Sequence, residues 1–470
     1  MNRREFLKTL GAGAIATAAV AAGCDNPNST PAEGFALGEV PTDKMSYRTA
    51  THGEKVSLLG YGCMRLPVIE ESKDDDGNPL LDQERINELT DYAIAHGVNL
   101  FDTAPRYCKA RSETAMGIAL SRHSRDEYLI STKLSNQSPD LWNYKGSVEM
   151  FQQSLERLQV DYLDFYMLHC VGLPGRDKMG NTVEPMEAFQ RRFIDNGILE
   201  YLMQQRALGR IRNLGFSYHG DVNVFNHALS MHDKVHWDHV LIQHNYINWQ
   251  HAASLAEDGN GDANSQYLYE QLAKRDIPVF VMEPLLGGQL ASLPQFAVDE
   301  LKQREPRQSV ASWAFRFASN QPRILTVLSG MTYMEHLQDN IRTLSPQQPL
   351  SNDDQALLAS IADRYVQYPL IPCTGCQYCM PCPYGIDIPG NFAHYNKTVN
   401  EGGFVDIPDD EADSQERRAY RKARRAYLKS YDKAVEPDRQ ADHCIGCGRC
   451  LAECPQQIDI PSRLAMIEKV

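Results

Sequence analysis

At 470 residues the chain has length for roughly two to four domains and for an ample apolar core. Its formal charge of −14 excludes an extended nucleic-acid-binding surface and mainly favours solubility. Twelve cysteines are few for a disulfide scaffold of this size, yet eight fall into two tight groups, so spacing decides their use.

Residues 1–24 read as a targeting segment rather than as part of a fold. Asn2-Arg3-Arg4-Glu5-Phe6-Leu7-Lys8 matches the twin-arginine pattern. The apolar stretch from Leu10 to Ala22 is shorter than the roughly 20 residues of a membrane span. Export by the twin-arginine route to the periplasm is expected, with a short amphipathic helix as the plainer alternative. Ala21-Ala22-Gly23-Cys24 resembles a lipoprotein processing site, which would make Cys24 a lipid anchor and the chain's link to a membrane. Ala21 stands where that pattern prefers Leu, so lipidation and ordinary cleavage nearby both stay open. Residues 25–45 form a polar linker.

Short apolar runs then recur. Val56 to Pro67 begins the series, followed by Val98–Phe101, Tyr128–Thr132, Leu163–Leu168, Ile211–Phe216, Val240–Gln243, Ile277–Met282 and Ile324–Leu328. Helix-length segments separate them, and some carry helical spacing, as at Ile86, Leu89, Tyr92, Ala93 and Ile94. Eight buried parallel strands alternating with helices predict an α/β fold, a (β/α)8 TIM barrel. A doubly wound open sheet is the alternative, but no strand is followed by a dinucleotide-type glycine fingerprint. Two long segments, Val171 to Glu184 and Asn248 to Asn264, are expected to shape a pocket at the barrel mouth. The second has acids and glycines from Glu257 onward, spaced faintly like a calcium loop but lacking its terminal glutamate.

Polar groups close three of these runs. Asp102 follows Phe101, with Tyr107 five residues on; Lys133 follows Thr132; His169 follows Leu168. Polar side chains at successive strand ends mark the active mouth of a barrel. In type and order the four residues resemble the catalytic tetrad of the aldo-keto reductases, which implies carbonyl reduction by hydride. Such a reduction requires a proton donor where charge develops on the oxygen. A free tyrosine, with a pKa of about 10, is a reluctant acid, and a nearby ammonium kept charged by a carboxylate lowers that value. Tyr107 is accordingly assigned as general acid, Lys133 as its tuner, Asp102 as the partner of Lys133, and His169 as the donor that orients the carbonyl. A structural Asp102–Lys133 ion pair, with Tyr107 and His169 unrelated to it, is the alternative.

That resemblance implies a set of nicotinamide contacts. The family holds the carboxamide with a Ser-Asn pair and a Gln at successive strand ends, which implies Ser217 and Gln243 here, with Tyr218 where Asn is usual. Glu283 to Gly288 matches the loop that approaches the pyrophosphate and implies Leu285 and Gly287, glycine permitting close backbone contact. An ordinary turn after a strand is the alternative there. Ser329 to Asn340 matches the adenosine-end segment and implies Asp339 and Asn340 near the adenine. NADP users of the family carry basic residues in this segment, whereas here His336 stands beside Glu335. The expected dinucleotide is NAD(P), with NAD slightly favoured.

Beyond Pro349 the barrel pattern stops. Cys373, Cys376, Cys379 and Cys382 precede Pro383, and Cys444, Cys447, Cys450 and Cys454 precede Pro455. Thiolates two residues apart converge on one cubane while the more distant cysteine reaches another. The second run has full bacterial-ferredoxin spacing; the first is one residue shorter before its last cysteine. Two [4Fe–4S] clusters with crossed ligation follow, one on Cys373, Cys376, Cys379 and Cys454, the other on Cys444, Cys447, Cys450 and Cys382. Structural zinc is the alternative, although zinc calls for neither the third cysteine at the same step nor the closing proline. The matching flanks Ile386-Asp387-Ile388-Pro389 and Ile458-Asp459-Ile460-Pro461 point to an internal duplication. Gln415 to Lys433 reads as a helical spacer with a solvated face. Cys63, Cys108 and Cys170 read as small buried residues, with a third metal site at the barrel mouth as the sharper alternative.

A barrel over residues 46–350 joined to a mostly α-helical ferredoxin-like domain over 351–470 resembles the iron–sulfur-containing branch of the aldo-keto reductases. The resemblance implies an exported oxidoreductase that interconverts a small-molecule carbonyl and an alcohol by hydride transfer, with its clusters relaying electrons to a redox partner protein. A cluster passes one electron at a time and a nicotinamide two. A flavin would bridge that step, and no flavin motif is present. Two other readings compete: an electron-transfer or redox-sensing protein whose barrel is a low-turnover binding module, and a barrel stapled by purely structural clusters.

Overall fold

The computed structural model describes residues 39–74, 78–255, 263–403 and 413–469. The twin-arginine segment, the Cys24 site and the centre of the calcium-like stretch lie outside the described residues. Eight parallel strands close into a barrel: β1 (Leu59–Gly62), β2 (Leu100–Asp102), β3 (Leu129–Leu134), β4 (Leu163–Val171), β5 (Ile211–Tyr218), β6 (His239–Gln243), β7 (Val279–Met282) and β8 (Ile324–Ser329). Each pairs with the next in chain order, and β8 returns to β1. The runs are apolar throughout because both faces are covered, as in β4, where every residue is buried. Phe165, Met167, Leu241, Phe280 and Leu325 fill the interior.

The first run divides in two. Lys55–Ser57 pairs antiparallel with Tyr47–Thr49, and Val56 joins the interior cluster from that hairpin. The parallel strand starts after it, at Leu59, so the expected start at Val56 is corrected. The first amphipathic helix, Gln83–Ala95, opens on Asp82, whose carboxylate accepts from the Arg85 N–H at 3.1 Å. It buries Ile86, Leu89, Thr90 and Ala93, while Tyr92 and Ile94 pack at its half-buried edge.

Helix Asn352–Tyr365 still belongs to the barrel side, packing Leu358, Ile361 and Tyr365 with Leu290, Trp313 and Phe317. A separate core begins at Ile371 and gathers Ile386, Ile388, Phe392, Tyr431, Ile458, Ile460 and Leu464. The two matching flanks do the same work in it. Asp387 caps helix Ile388–Asn400 by accepting from the Gly390 N–H, and Asp459 caps helix Ile460–Glu468 by accepting from the Ser462 N–H. The expected spacer is helix Ser414–Ala434, which buries Tyr427 and Tyr431 and leaves its charges in solvent. Among the described residues, no helix is long and apolar enough to cross a membrane.

Barrel and carboxyl-terminal part form one compact unit. The thiol-bearing loops sit on the face where the barrel strands end. Gln289 Nε2 donates to Cys373 O at 3.0 Å, Asn400 Nδ2 to Ser292 O at 2.8 Å, and Arg176 Nη2 to Gly448 O at 3.2 Å. Arg176 lies in a hairpin, Gly175–Arg176 with Thr182–Val183, that orders the long segment after β4.

Candidate active site and cluster thiols

The ends of β2, β3 and β4 bring three polar side chains together, and the loop after β2 adds the fourth. Lys133 Nζ donates to Asp102 Oδ1 at 2.6 Å and to Thr103 O at 2.8 Å, and Ser131 Oγ donates to Asp102 Oδ2 at 2.7 Å. Both carboxylate oxygens are thus engaged, and the ammonium meets its counter-charge where both side chains are buried. Lys133 Nζ lies 4.9 Å from the centroid of the Tyr107 ring, and that ring meets His169 edge-on at 6.0 Å. After Tyr107, Cys108, Lys109 and Ala110 are left-handed, with φ of 51°, 55° and 62°. For non-glycine residues that backbone costs about 1 kcal/mol or more each. It turns the chain sharply just beyond the phenol.

Acidity departs from expectation at Tyr107. Burial, then Tyr378, Asp102, Cys170 and Cys63, push its phenol well above the ordinary range. The expectation that Lys133 lowers it is corrected: the Asp102 carboxylate that fixes the ammonium also cancels it, and desolvation then decides the sign. Tyr107 therefore stays a neutral phenol. Burial and the nearby cations Lys133, Arg106 and Arg192 hold His169 well below the ordinary imidazole range, so it too is neutral. Its Nδ1 faces Ser135 Oγ at 2.6 Å, and its carbonyl accepts from Arg192 Nη2 at 2.6 Å. A hydroxyl proton given to Nδ1 assigns the ring hydrogen to Nε2.

All four side chains line one cavity of about 580 Å³. Gln243, Leu285, Gly287, Asp339 and Asn340 line it as well, so these five expected positions share one groove with the four. Ser217 does not. A register shift between Phe216 and Tyr218 turns its hydroxyl to accept from the Cys170 N–H at 3.0 Å. His219 lines the cavity instead, and its buried imidazole is bonded to the Ser217 backbone. A nicotinamide carboxamide fits a lining that presents the Gln243 amide. At the far end, Asp339 accepts from Ser309 Oγ at 2.6 Å and Asn340 Nδ2 donates to Ser329 Oγ at 3.1 Å.

Gly287 is required at the thiol-bearing loop as well as lining the cavity: a Cβ there would collide with the backbone of Thr374. Arg65 ties the same junction, donating to Thr374 O and to Gly287 O. It lines the cavity, as do Thr374, Cys376, Tyr378 and Pro455. Sequence reasoning missed Arg65, Thr374 and Tyr378 and placed Cys376 only as a cluster ligand. A cation just past the first strand was the available signal for Arg65. Nothing local marks Tyr378 as a neighbour of His169.

The eight tail cysteines form no disulfide, and among the described residues no three His, Cys, Asp or Glu side chains close around a single ion position. Cys379 is pushed up by burial and by Cys376, Cys454 and Cys373, with Cys450 after them. Cys450 is pushed up to about 11 by burial and by Cys444, Cys447 and Cys382. Cys454 thus neighbours the first three thiols and Cys382 the second three, the pairing that crossed ligation of two cubanes requires, while Cys379 and Cys450 face each other between the two sets. Cys63, Cys108 and Cys170 instead bond locally. Cys108 Sγ donates to Met64 O at 3.5 Å, Cys63 Sγ to Tyr61 O at 3.5 Å, and Cys170 Sγ accepts from Gln137 Nε2 at 3.4 Å.

Residues 59–363 match the Aldo/keto reductase family. The chain belongs to that family. Residues 372–458 match the 4Fe-4S dicluster domain, so this aldo/keto reductase carries iron–sulfur clusters in its tail. Protein tas of Escherichia coli is 27% identical over 363 residues, covering 69% of this chain and 99% of its own. L-galactose dehydrogenase of Arabidopsis thaliana is 22% identical and covers 65% of this chain and 89% of its own. Among solved structures, the thermostable aldo-keto reductase Tm1743 aligns with a TM-score of 0.51 at 20% identity, covering 67% of this chain and 100% of its own. That likeness establishes the fold. With its family and relatives, the chain is an oxidoreductase.

Proposed function

We propose that this aldo/keto reductase interconverts a small-molecule carbonyl and an alcohol, and that its clusters connect the same site to a redox partner protein. A bound nicotinamide supplies the hydride and the bound clusters one-electron transfer. The observation that carries the reading is one cavity lined by Asp102, Tyr107, Lys133 and His169 and, across it, by Cys376. Tyr107 protonates the carbonyl oxygen, Lys133 and Asp102 hold the pair of charges beneath it, and His169 Nε2–H orients it. The Cys373, Cys376, Cys379, Cys454 set and the Cys382, Cys444, Cys447, Cys450 set each hold a [4Fe–4S] cluster. Anaerobic addition of alcohol and NAD+ to the holoprotein is expected to bleach cluster absorbance. An unchanged spectrum during measured turnover removes the relay.

The dinucleotide is NAD. Tyr333, Glu335 and His336 line the cavity beside Asp339, and no Lys or Arg lines it there among the described residues. Two carboxylates repel a 2′-phosphate, while the Arg65 guanidinium is held by Gly287 O and Thr374 O at the loop matched to the pyrophosphate. Rates with NADH above those with NADPH are expected, and the reverse preference overturns this assignment. Residues 1–24 direct export by the twin-arginine route, which carries folded, cluster-loaded proteins. Replacing Arg3 and Arg4 by Lys tests this, and an unchanged periplasmic fraction overturns it.

The thiol-bearing loops roof the cavity, which favours one competing reading, a low-turnover binding module. Redox output untouched by Tyr107→Phe would select it.

A further inference from the structure

Tyr378 is carried between Cys376 and Cys379, yet it belongs spatially to the barrel. Its hydroxyl lies 3.5 Å from His169 Nε2, its ring meets the His169 ring edge-on at 6.4 Å, and the Arg106 guanidinium covers its face at 5.2 Å. Arg106 is itself drawn toward the tail by Glu453 at 3.6 Å. The ring separates the groove that holds the tetrad from a second cavity, of about 750 Å³, that opens between Arg106, Gln137, Arg192 and Glu453. Ser135 occupies Nδ1 of His169, so the nitrogen that Tyr378 faces is the one left to address a carbonyl oxygen. The backbone N–H of Tyr378 donates to Cys376 Sγ, which couples the ring directly to a thiol of the first set.

We propose that Tyr378 is a positioning residue of the reductase site, supplied by the cluster loop, so that the site is complete only when the first set of thiols holds its cluster. This rests on the reductase reading above. The loop between helix Asn352–Tyr365 and helix Ile388–Asn400 has no regular structure of its own. A cluster bonded to Cys376 and Cys379 fixes both ends of the segment that carries Tyr378. Its hydroxyl, 3.5 Å from Nε2, then donates to the same substrate oxygen that the His169 Nε2–H addresses, and the ring closes the tetrad groove against the second cavity. Cluster loss frees the ring and removes this second donor while the barrel stays folded.

The test compares wild type and Tyr378→Phe holoprotein, each before and after chelator removal of the clusters. Two readouts are taken: acetate binding to the NAD+-loaded protein by calorimetry, and aldehyde reduction with NADH. Acetate presents a carbonyl-like oxygen and is not reduced, so its binding does not depend on turnover. Tyr378→Phe is expected to keep its cluster absorbance and its NAD+ affinity while losing about tenfold in acetate affinity, the worth of one hydrogen bond. Cluster removal is expected to cost wild type a similar factor and the variant little more, because both changes remove the same contact. Equal acetate affinity in the two holoproteins, or equal further losses on stripping both, overturns the proposal. Should the variant fail to hold its cluster, full acetate affinity in stripped wild type overturns it alone. Absent turnover with every aldehyde would sink the reductase reading, and the acetate arm would still decide the role of Tyr378.

Discussion

Tyr107 carries its proton to higher pH than a free tyrosine, and His169 stays neutral to lower pH than a free histidine. Reduction uses the acid form of the phenol, and a raised pKa means that form is lost only above the ordinary value of about 10. The kcat/KM profile for carbonyl reduction is therefore expected to be flat from about pH 6 to about pH 9. Alcohol oxidation, which needs the conjugate base, is expected to rise through the same range. A reduction profile that falls between about pH 7 and 9 would contradict the assigned acidity. The four tetrad residues were legible in the chain because each polar side chain interrupts or follows an apolar run. The sign of the Tyr107 shift was not, because it turns on how fully Asp102 cancels Lys133 once both are buried. Ser217 was misplaced for a related reason. A register irregularity at the end of β5 rotates it to Cys170 and brings His219 forward, and strand periodicity does not reveal such a shift.

At the scale of elements, the decisive packing lies between the turn after β7 and the thiol-bearing loop. Gly287 has φ of 68° and no room for a Cβ against Thr374. Gly287→Ala is expected to destabilise this junction by about 1–3 kcal/mol, as overpacking does. The measurement is a lowered unfolding midpoint together with faster cluster loss to chelator. Cluster retention equal to wild type would show that the tail does not depend on this junction. All eight barrel strands, the helical spacer and the duplication marked by the repeated Ile-Asp-Ile-Pro were readable, since apolar runs and a repeated tetrapeptide are local signals, whereas the helix that each repeat caps was not read from the sequence. Nor was the seat of the tail on the barrel. Arg65, Gln289 and Tyr378 meet the partner domain across long stretches of chain, and no local pattern encodes such contacts.

At the scale of the whole molecule, the interior holds imidazoles that cannot take up protons cheaply. Burial holds His239 and His244 at about 3 and His219 at about 4, and His169 is also depressed. In the unfolded chain each titrates near 6.5, so below that pH the unfolded state binds more protons and stability falls as pH falls. Each such histidine removes about 1.4 kcal/mol per pH unit once below that value. His244, packed among Trp249, Tyr269 and Phe317, is the cleanest case. His244→Phe is expected to flatten the slope of unfolding free energy against pH by close to one proton between about pH 6 and 4. An unaltered slope would mean that His244 is charged or accessible in the folded protein.

One comparison reaches the centre of the account: NADH-dependent aldehyde reduction by the cluster-loaded wild type and by Tyr107→Phe, with nicotinamide binding measured in both. The account predicts unchanged binding and a fall in kcat of roughly 10²–10⁴-fold, the usual worth of a positioned proton donor. Equal rates in the two proteins would contradict it.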